Sequence, residues 1–448
     1  RAYTRLSQQE IFVLYYMAGA AMASPFSGLL WNQYLVQSEA ARMLGLTQHI
    51  PAWVAPGVGS DALVDRTFFH RDWLIPILLM IGFEIISAVD HFGLGYALYR
   101  LTSDVEKLPF PMAPVGALGN MALAESTERD TSSWKWRLFS IGGMIGLAFG
   151  AIYVLLPAAS GVILSEPIQI FPIPWIELTY VTEDLFPAVA TGIQLDLGLF
   201  FIGMVLPFWA VIGGGIGFII TLIANPILYE HGILHRWHKG MATVETIFAN
   251  NFDFYMSFGI GLGLAIAAIG IFHVFFSFKQ KHMESLRERL AILFSPPKGR
   301  GDFSIWIAIG IYVLSTTAYI IISSMLVPGF PWIFLVAYGF IYTPIISYVS
   351  ARMEGIAGQF VSLPMVREAS FIAASKFFGY AGIGIWYAPI PIHNYGKATQ
   401  RWREIELTGT SFRSIIKAEI LVIPIVLIAS LLFSQYIWHL APIPSVNY

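Results

Sequence analysis

The run SIWIAIGIYVLSTTAYIIISSML, from Ser304 to Leu326, carries no charged residue. It is longer than the roughly 20 apolar residues that take an α-helix across a bilayer. Hydrocarbon offers no water to backbone N–H and C=O groups, so such a run has to satisfy them internally, as a helix. Similar runs cover 11–34 (interrupted by SPFSG), 74–101, 137–156, 197–228, 256–278, 332–350 and 418–440. Only 12% of the 448 residues are charged and 56% are hydrophobic, whereas a soluble domain has about 25% charged. The mean hydropathy is +0.66. These features predict an all-α, polytopic integral membrane bundle, multi-pass in the cell membrane, with the lipid bilayer as its solvent.

The same numbers exclude several classes. A net charge of −2 leaves no basic footprint for nucleic acid. The absence of cysteine excludes disulfides, thiolate metal sites and cysteine nucleophiles. No nucleophile–base–acid set stands out, so neither an enzyme nor a cofactor is expected. The chain opens on Arg1 and ends HLAPIPSVNY, and it is expected to continue at both ends.

Basic residues set the expected orientation. KQKHMESLRERLAILFSPPKGRGD is placed in the cytoplasm, and its SPPKGRGD end reads as a linker. The expected division is a membrane portion 1–295, a cytoplasmic linker 296–303 and a second membrane portion 304–448. The hairpin tip VPGFP and the segment 161–196, which has no lysine or arginine, are placed outside. The number of crossings between 197 and 256 stays open: either 197–228 forms two half-spans around GGGIG, or a re-entrant piece lies near Asn250.

Two segments, 109–126 and 361–391, are apolar yet broken by proline, glycine or charge. Irregular backbone at membrane depth persists only where protein or a watery cavity shields it. Both are read as re-entrant or discontinuous helices lining a pathway; the alternative is a loop lying on the membrane surface. LPFPM in the first and LPM in the second each follow a long apolar helix, a weak internal repeat of the kind on which transporters are built.

Glu84, Asp90 and His91 lie inside an apolar run. Glu84 and His91 are seven apart and share a helix face, with Asp90 about 120° round from Glu84. An ionisable group at the bilayer centre costs at least about 2.5–3.5 kcal/mol, so these three are the candidates for proton coupling. Alternatively, Asp90 and His91 sit near a helix end and bond only local backbone. Arg367 and Glu368, beside the second broken segment, are candidates for the charged ends of a zwitterion, since arginine grips carboxylates bidentately. Asn225, before a proline in TLIANPIL, is a candidate substrate contact or a helix terminus. His231, His235 and His238 share a helix face but read as a membrane-edge patch rather than a zinc site.

KLPFPMAPVGALGNMALAE, FPIPWIELTYVTEDLFPAVATGIQLD, GMVLPFWAVIGGGIGFIITLIANPILYEHGIL and SPPKGRGDFSIW, in this order, resemble the prokaryotic "peptide transporter" branch of the oligopeptide transporter superfamily. The likeness covers most of the chain. It implies a secondary active carrier of short peptides, related small zwitterions or metal chelates, driven by protons, alone, as a homo-oligomer or in a membrane complex. It also implies that Pro109, Phe110 and Pro111, and less directly Leu363–Met365, belong to the substrate pathway. Met112, Ala113 and Pro114 depart from the small or acidic residues common in the family after the proline motif. The competing expectation is a scaffold or partner subunit that keeps a transporter fold without transporting.

Overall fold

The structure, a computed structural model, describes residues 6–125, 134–164, 167–262, 264–265, 268–269, 291–363, 366–440 and 442–443. Much of the 256–278 run, the basic residues Lys279 to Arg289, and Pro364 and Met365 lie outside the described residues. The principal helices are α1 (Gln8–Ala21), α2 (Ser27–Gln37), α3 (Leu74–Asp90), α4 (Leu94–Tyr99), α5 (Ala113–Glu125), α6 (Trp134–Gly150), α7 (Leu197–Val205), α8 (Phe208–Glu230), α9 (Thr243–Asn250), α10 (Ile305–Leu326), α11 (Trp332–Ala337), α12 (Thr343–Ala357), α13 (Val366–Phe378), α14 (Gly396–Leu407) and α15 (Phe412–Leu440). Wider π-helical turns follow α4 (Arg100–Val105) and join α11 to α12 (Tyr338–Tyr342).

The chain is mostly helical, and among the described residues six helices are long and apolar enough to cross a membrane: Arg71–Val105, Trp134–Gly161, Phe208–Glu230, Ile305–Leu326, Trp332–Ala357 and Phe412–Leu440. Local chemistry sets their ends. Ser7 and Glu10 form a reciprocal capping box at the start of α1, and Ser304 caps α10. The 197–228 run breaks at Leu206 and Pro207, between α7 and α8, while GGGIG continues unbroken inside α8. Proline lacks the N–H that a helix needs, whereas glycine keeps its backbone bonds where no water competes for them.

Contacts divide the chain into two compact units that interleave in sequence. The first comprises Arg1–Leu108, Phe278–Arg352 and Val366–Tyr448; the second comprises Pro109–Ser277 and Met353–Met365. The 296–303 segment, read as a linker, lies within the first unit.

That segment is the hub of a buried charge cluster. Arg100 is fully buried and donates from Nε to Asp104 at 2.6 Å. Its Nη2 donates to the Ile292 and Leu293 carbonyls at 2.7 and 3.2 Å. Arg300 grips Asp104 with two N–H groups at 2.7 and 3.0 Å, and also bonds Asp302 at 2.8 Å and Glu406 at 2.9 Å. Arg403 bonds Glu406 at 2.5 Å, and the hydroxyls of Tyr96 and Tyr99 donate to Asp302 and Glu406. Three cations thus meet three carboxylates. Burial works against the Arg300 charge, but its bonds to Asp104 and Asp302 outweigh that and hold it above its ordinary pKa. Gly301 separates the two charged residues at φ +79°, a left-handed conformation that glycine adopts without penalty. The aromatic core of Tyr96, Tyr99, Trp402 and Phe412 closes around the cluster. Above it α4 presses on α14 so closely that a Cβ on Gly95 would lie 2.7 Å from that of Ala398.

In the second unit the LPFP turn is pinned rather than loose. Phe110 is fully buried at φ +47°, and its N–H donates to the Gly355 carbonyl at 2.8 Å. Elsewhere in this unit a two-residue antiparallel pair, β1 (Ile176–Glu177) with β2 (Gly192–Ile193), positions Glu177. Its carboxylate accepts from the Thr179 N–H at 3.0 Å, the Thr243 N–H at 3.1 Å and the Thr243 hydroxyl at 2.5 Å. Burial would raise this carboxyl, but the bonds from Thr243 and Thr179 outweigh it and hold it at about 2.

Arg300→Gln should lower stability by about 3–5 kcal/mol, because it leaves buried carboxylates without their cation. Thermal unfolding in detergent checks this, with Lys298→Gln at an exposed neighbour changing little. For Glu177, a depressed folded pKa means that its stabilisation is complete above the ordinary value of 4.5 and disappears as pH falls towards about 2. Protection of the Thr179 and Thr243 amides, taken relative to their intrinsic exchange rates at each pH, should therefore fall across that window, and Glu177→Gln should flatten the dependence.

Candidate functional site

A cavity of about 160 Å³ opens in the first unit among α1, α3, α14 and α15. Its polar lining is Tyr16, Glu84, Ser87, His91, Arg401 and Glu419, with Phe92 and Trp402 among the apolar walls. A second hollow of about 250 Å³ shares Tyr16, Glu84, Arg401 and Glu419 and extends along α1 and α15 past Gly19, Ala23 and Val426.

Helical spacing accounts for the α3 side. Glu84, Ser87 and His91 recur at intervals of three and four and so point the same way. The His91 ring nitrogen Nδ1 lies 2.8 Å from the Ser87 carbonyl, which fixes the imidazole at the end of α3. From the opposite side the Tyr16 hydroxyl donates to Glu419 at 2.8 Å. The Arg401 guanidinium lies over the Tyr16 ring, 4.6 Å from its centre. Among the described residues Glu84 has no hydrogen-bond or ion-pair partner, and Arg401 has no carboxylate at ion-pair distance.

Asp90 points to the other side of α3. It is 1% exposed and lies outside the cavity, with one oxygen accepting from the Ser315 hydroxyl at 2.6 Å and the other from the Tyr395 hydroxyl. The Tyr395 ring stands between His91 and His393, 5.9 Å from each. Just beyond, Gly93 lets the backbone of α10 approach: a Cβ there would lie 3.0 Å from the Tyr312 nitrogen.

The other candidates lie elsewhere. Arg367, in the first turn of α13, donates to the Trp386 carbonyl and lies over Phe371, and its neighbour Glu368 is half-buried; neither lines the cavity. Asn225, Pro109, Phe110 and Pro111 belong to the second unit. Asn225 is 2% exposed within an unbroken helix rather than at an unwound point. Its amide donates to the Ala188 carbonyl at 2.8 Å, as Asn250 does at 2.7 Å, and its oxygen accepts from the Tyr255 hydroxyl. No group of three or more histidine or acidic side chains among the described residues is placed to hold a metal ion.

Compared with protein-family models and with curated proteins, the chain matches none. The chemistry of the site is therefore carried by its geometry. Three of the lining residues, Tyr16, Arg401 and Glu419, escaped the sequence reading. Glu419 had a visible signal, a carboxylate at the head of the apolar run LVIPIVLIASLLF, of the same kind as Glu84. Tyr16 and Arg401 had none.

Tyr395→Phe should destabilise the protein by about 1–3 kcal/mol, the penalty for leaving a buried acceptor short of a donor. Thermal unfolding checks this, with Tyr15→Phe at a half-exposed position as the unchanged reference.

Proposed function

We propose that this chain is a secondary active carrier of the cell membrane that moves short peptides, related small zwitterions or metal chelates, with protons as the driving ion. One observation carries the reading: ionisable side chains from four helices, including Glu84 from within a span, converge on a hollow instead of being packed shut. A carboxylate inside a span is expensive to keep, and a cavity that hydrates it and exchanges its proton accounts for its presence. On this reading Glu84 and His91 handle the proton at the cavity, and Asp90 holds α3 to α10 and to Tyr395 behind it.

Two further features support a carrier. Helices α5 and α13 belong to the two apolar segments broken by proline, glycine or charge. Each follows a proline motif, LPFPM or LPM, and each motif follows a span containing a π-helical turn. This pattern supports reading the two segments as the discontinuous helices of an internal repeat, as in transporters, in line with the resemblance to the oligopeptide transporter superfamily. The resemblance also implies that Pro109, Phe110 and Pro111, in the pinned LPFP turn, belong to the substrate pathway. Arg367 and Glu368 are further substrate contacts, and Asn225 serves to hold its own unit together.

The test is uptake of labelled di- to hexapeptides into proteoliposomes with and without an imposed pH gradient. One pH unit supplies about 1.4 kcal/mol, enough for about tenfold accumulation when one proton accompanies each substrate. Wild type should show this accumulation, and Glu84→Gln should lose the response to the gradient. Absence of uptake for every peptide and for metal chelates would leave a membrane scaffold in place of a carrier.

A further inference from the structure

The cavity holds charges of both signs that are not paired with each other. Glu419 has one oxygen on the Tyr16 hydroxyl, while Glu84 has no hydrogen-bond partner among the described residues. The Arg401 guanidinium carbon lies over the Tyr16 ring, 4.6 Å from its centre, with no carboxylate at ion-pair distance among the described residues, and a guanidinium offers an N–H fork that matches a planar anion. The tyrosine is thus a spacer: its ring carries the cation and its hydroxyl anchors a carboxylate. Trp402 and Phe92 supply apolar walls between the charged ends.

A carboxylate inside a span, such as Glu84, is costly to leave bare, and a ligand that brings the opposite charge to each end of the cavity is favoured there. The hollow is small. Its volume of about 160 Å³, like the roughly 250 Å³ of the adjoining hollow that shares Tyr16, Glu84, Arg401 and Glu419, is below the roughly 300 Å³ at which pockets for drug-sized ligands begin, which suits a small ligand at the charged residues. We propose that this cavity is a subsite for a zwitterion of amino-acid to dipeptide size, with its ammonium between Glu84 and Glu419 and its carboxylate on the Arg401 guanidinium. The proposal rests on the carrier reading for its setting, and it adds Arg401 and Glu419 as the residues that determine specificity.

The test is binding, independent of transport. Calorimetry on the protein in nanodiscs compares alanyl-alanine with its N-acetyl form, which lacks the ammonium, and its amide, which lacks the carboxylate. Wild type should bind the zwitterion about tenfold or more tighter than either capped form, the scale of a lost charge pair. Arg401→Gln should weaken the zwitterion and the N-acetyl form about tenfold and leave the amide unchanged. Glu419→Gln should do the reverse, weakening the zwitterion and the amide alone. The ligand each variant still binds normally shows that it is folded. Equal binding of all three by wild type, no binding of any, or loss of all three alike in Arg401→Gln would overturn the proposal. Discriminating binding without uptake in proteoliposomes would reject the carrier and keep the subsite; uptake with no discrimination at either end would do the opposite.

Discussion

The buried charge cluster around Arg100 and Arg300 is the constraint on which the first unit depends. Charges survive in a low-dielectric interior only when every one is matched and hydrogen-bonded. Here three cations and three carboxylates cancel, and two tyrosine hydroxyls take up remaining acceptors. The members come from the turn after α4, the segment before α10 and helix α14, so the cluster sets the spacing of three elements at once. Breaking any one of these pairs would leave an uncompensated buried charge, which ties the three elements together. The cluster thereby holds α14, with Arg401 two residues from Arg403, at the edge of the cavity.

Helix α3 divides its polar residues between two jobs. Glu84, Ser87 and His91 face the cavity, while Asp90 faces Ser315 and Tyr395. The difference lies in the partners. Asp90 meets two hydroxyl donors and is closed off by the approach of α10 at Gly93, whereas Glu84 meets open space and charges it does not touch. A packed, saturated carboxylate orients helices, and an unsaturated one beside a void can bind and release. Sequence position does not separate these roles, because both residues belong to the same apolar run.

The second unit relies on backbone as much as on side chains. The Ala188 carbonyl, at φ +58°, collects amide donors from Asn225 and Asn250, and Phe110 is locked by the Gly355 carbonyl. These bonds pin irregular segments that hydrocarbon would otherwise forbid. Proline-rich stretches of this kind read as loose in sequence, because proline signals where a helix stops without saying what then holds the chain.

The amino-acid sequence by itself determined the helical membrane class, the approximate place of six spans and the shared face of Glu84 and His91; it left the break in 197–228 open, and the structure put that break at Leu206 and Pro207 rather than at GGGIG. The class, the spans and the shared face follow from hydrophobicity and helical period, which act over one or two turns. Tertiary structure alone decided that Arg300 and Asp302 of SPPKGRGD join a buried charge cluster, that the Asn225 amide is engaged inside its own unit, that Asp90 is sealed, and that Tyr16, Arg401 and Glu419 complete the cavity. Tyr16 and Glu419 are 403 residues apart. Contacts at that separation arise from the docking of whole helices, and local spacing carries no record of which faces will meet.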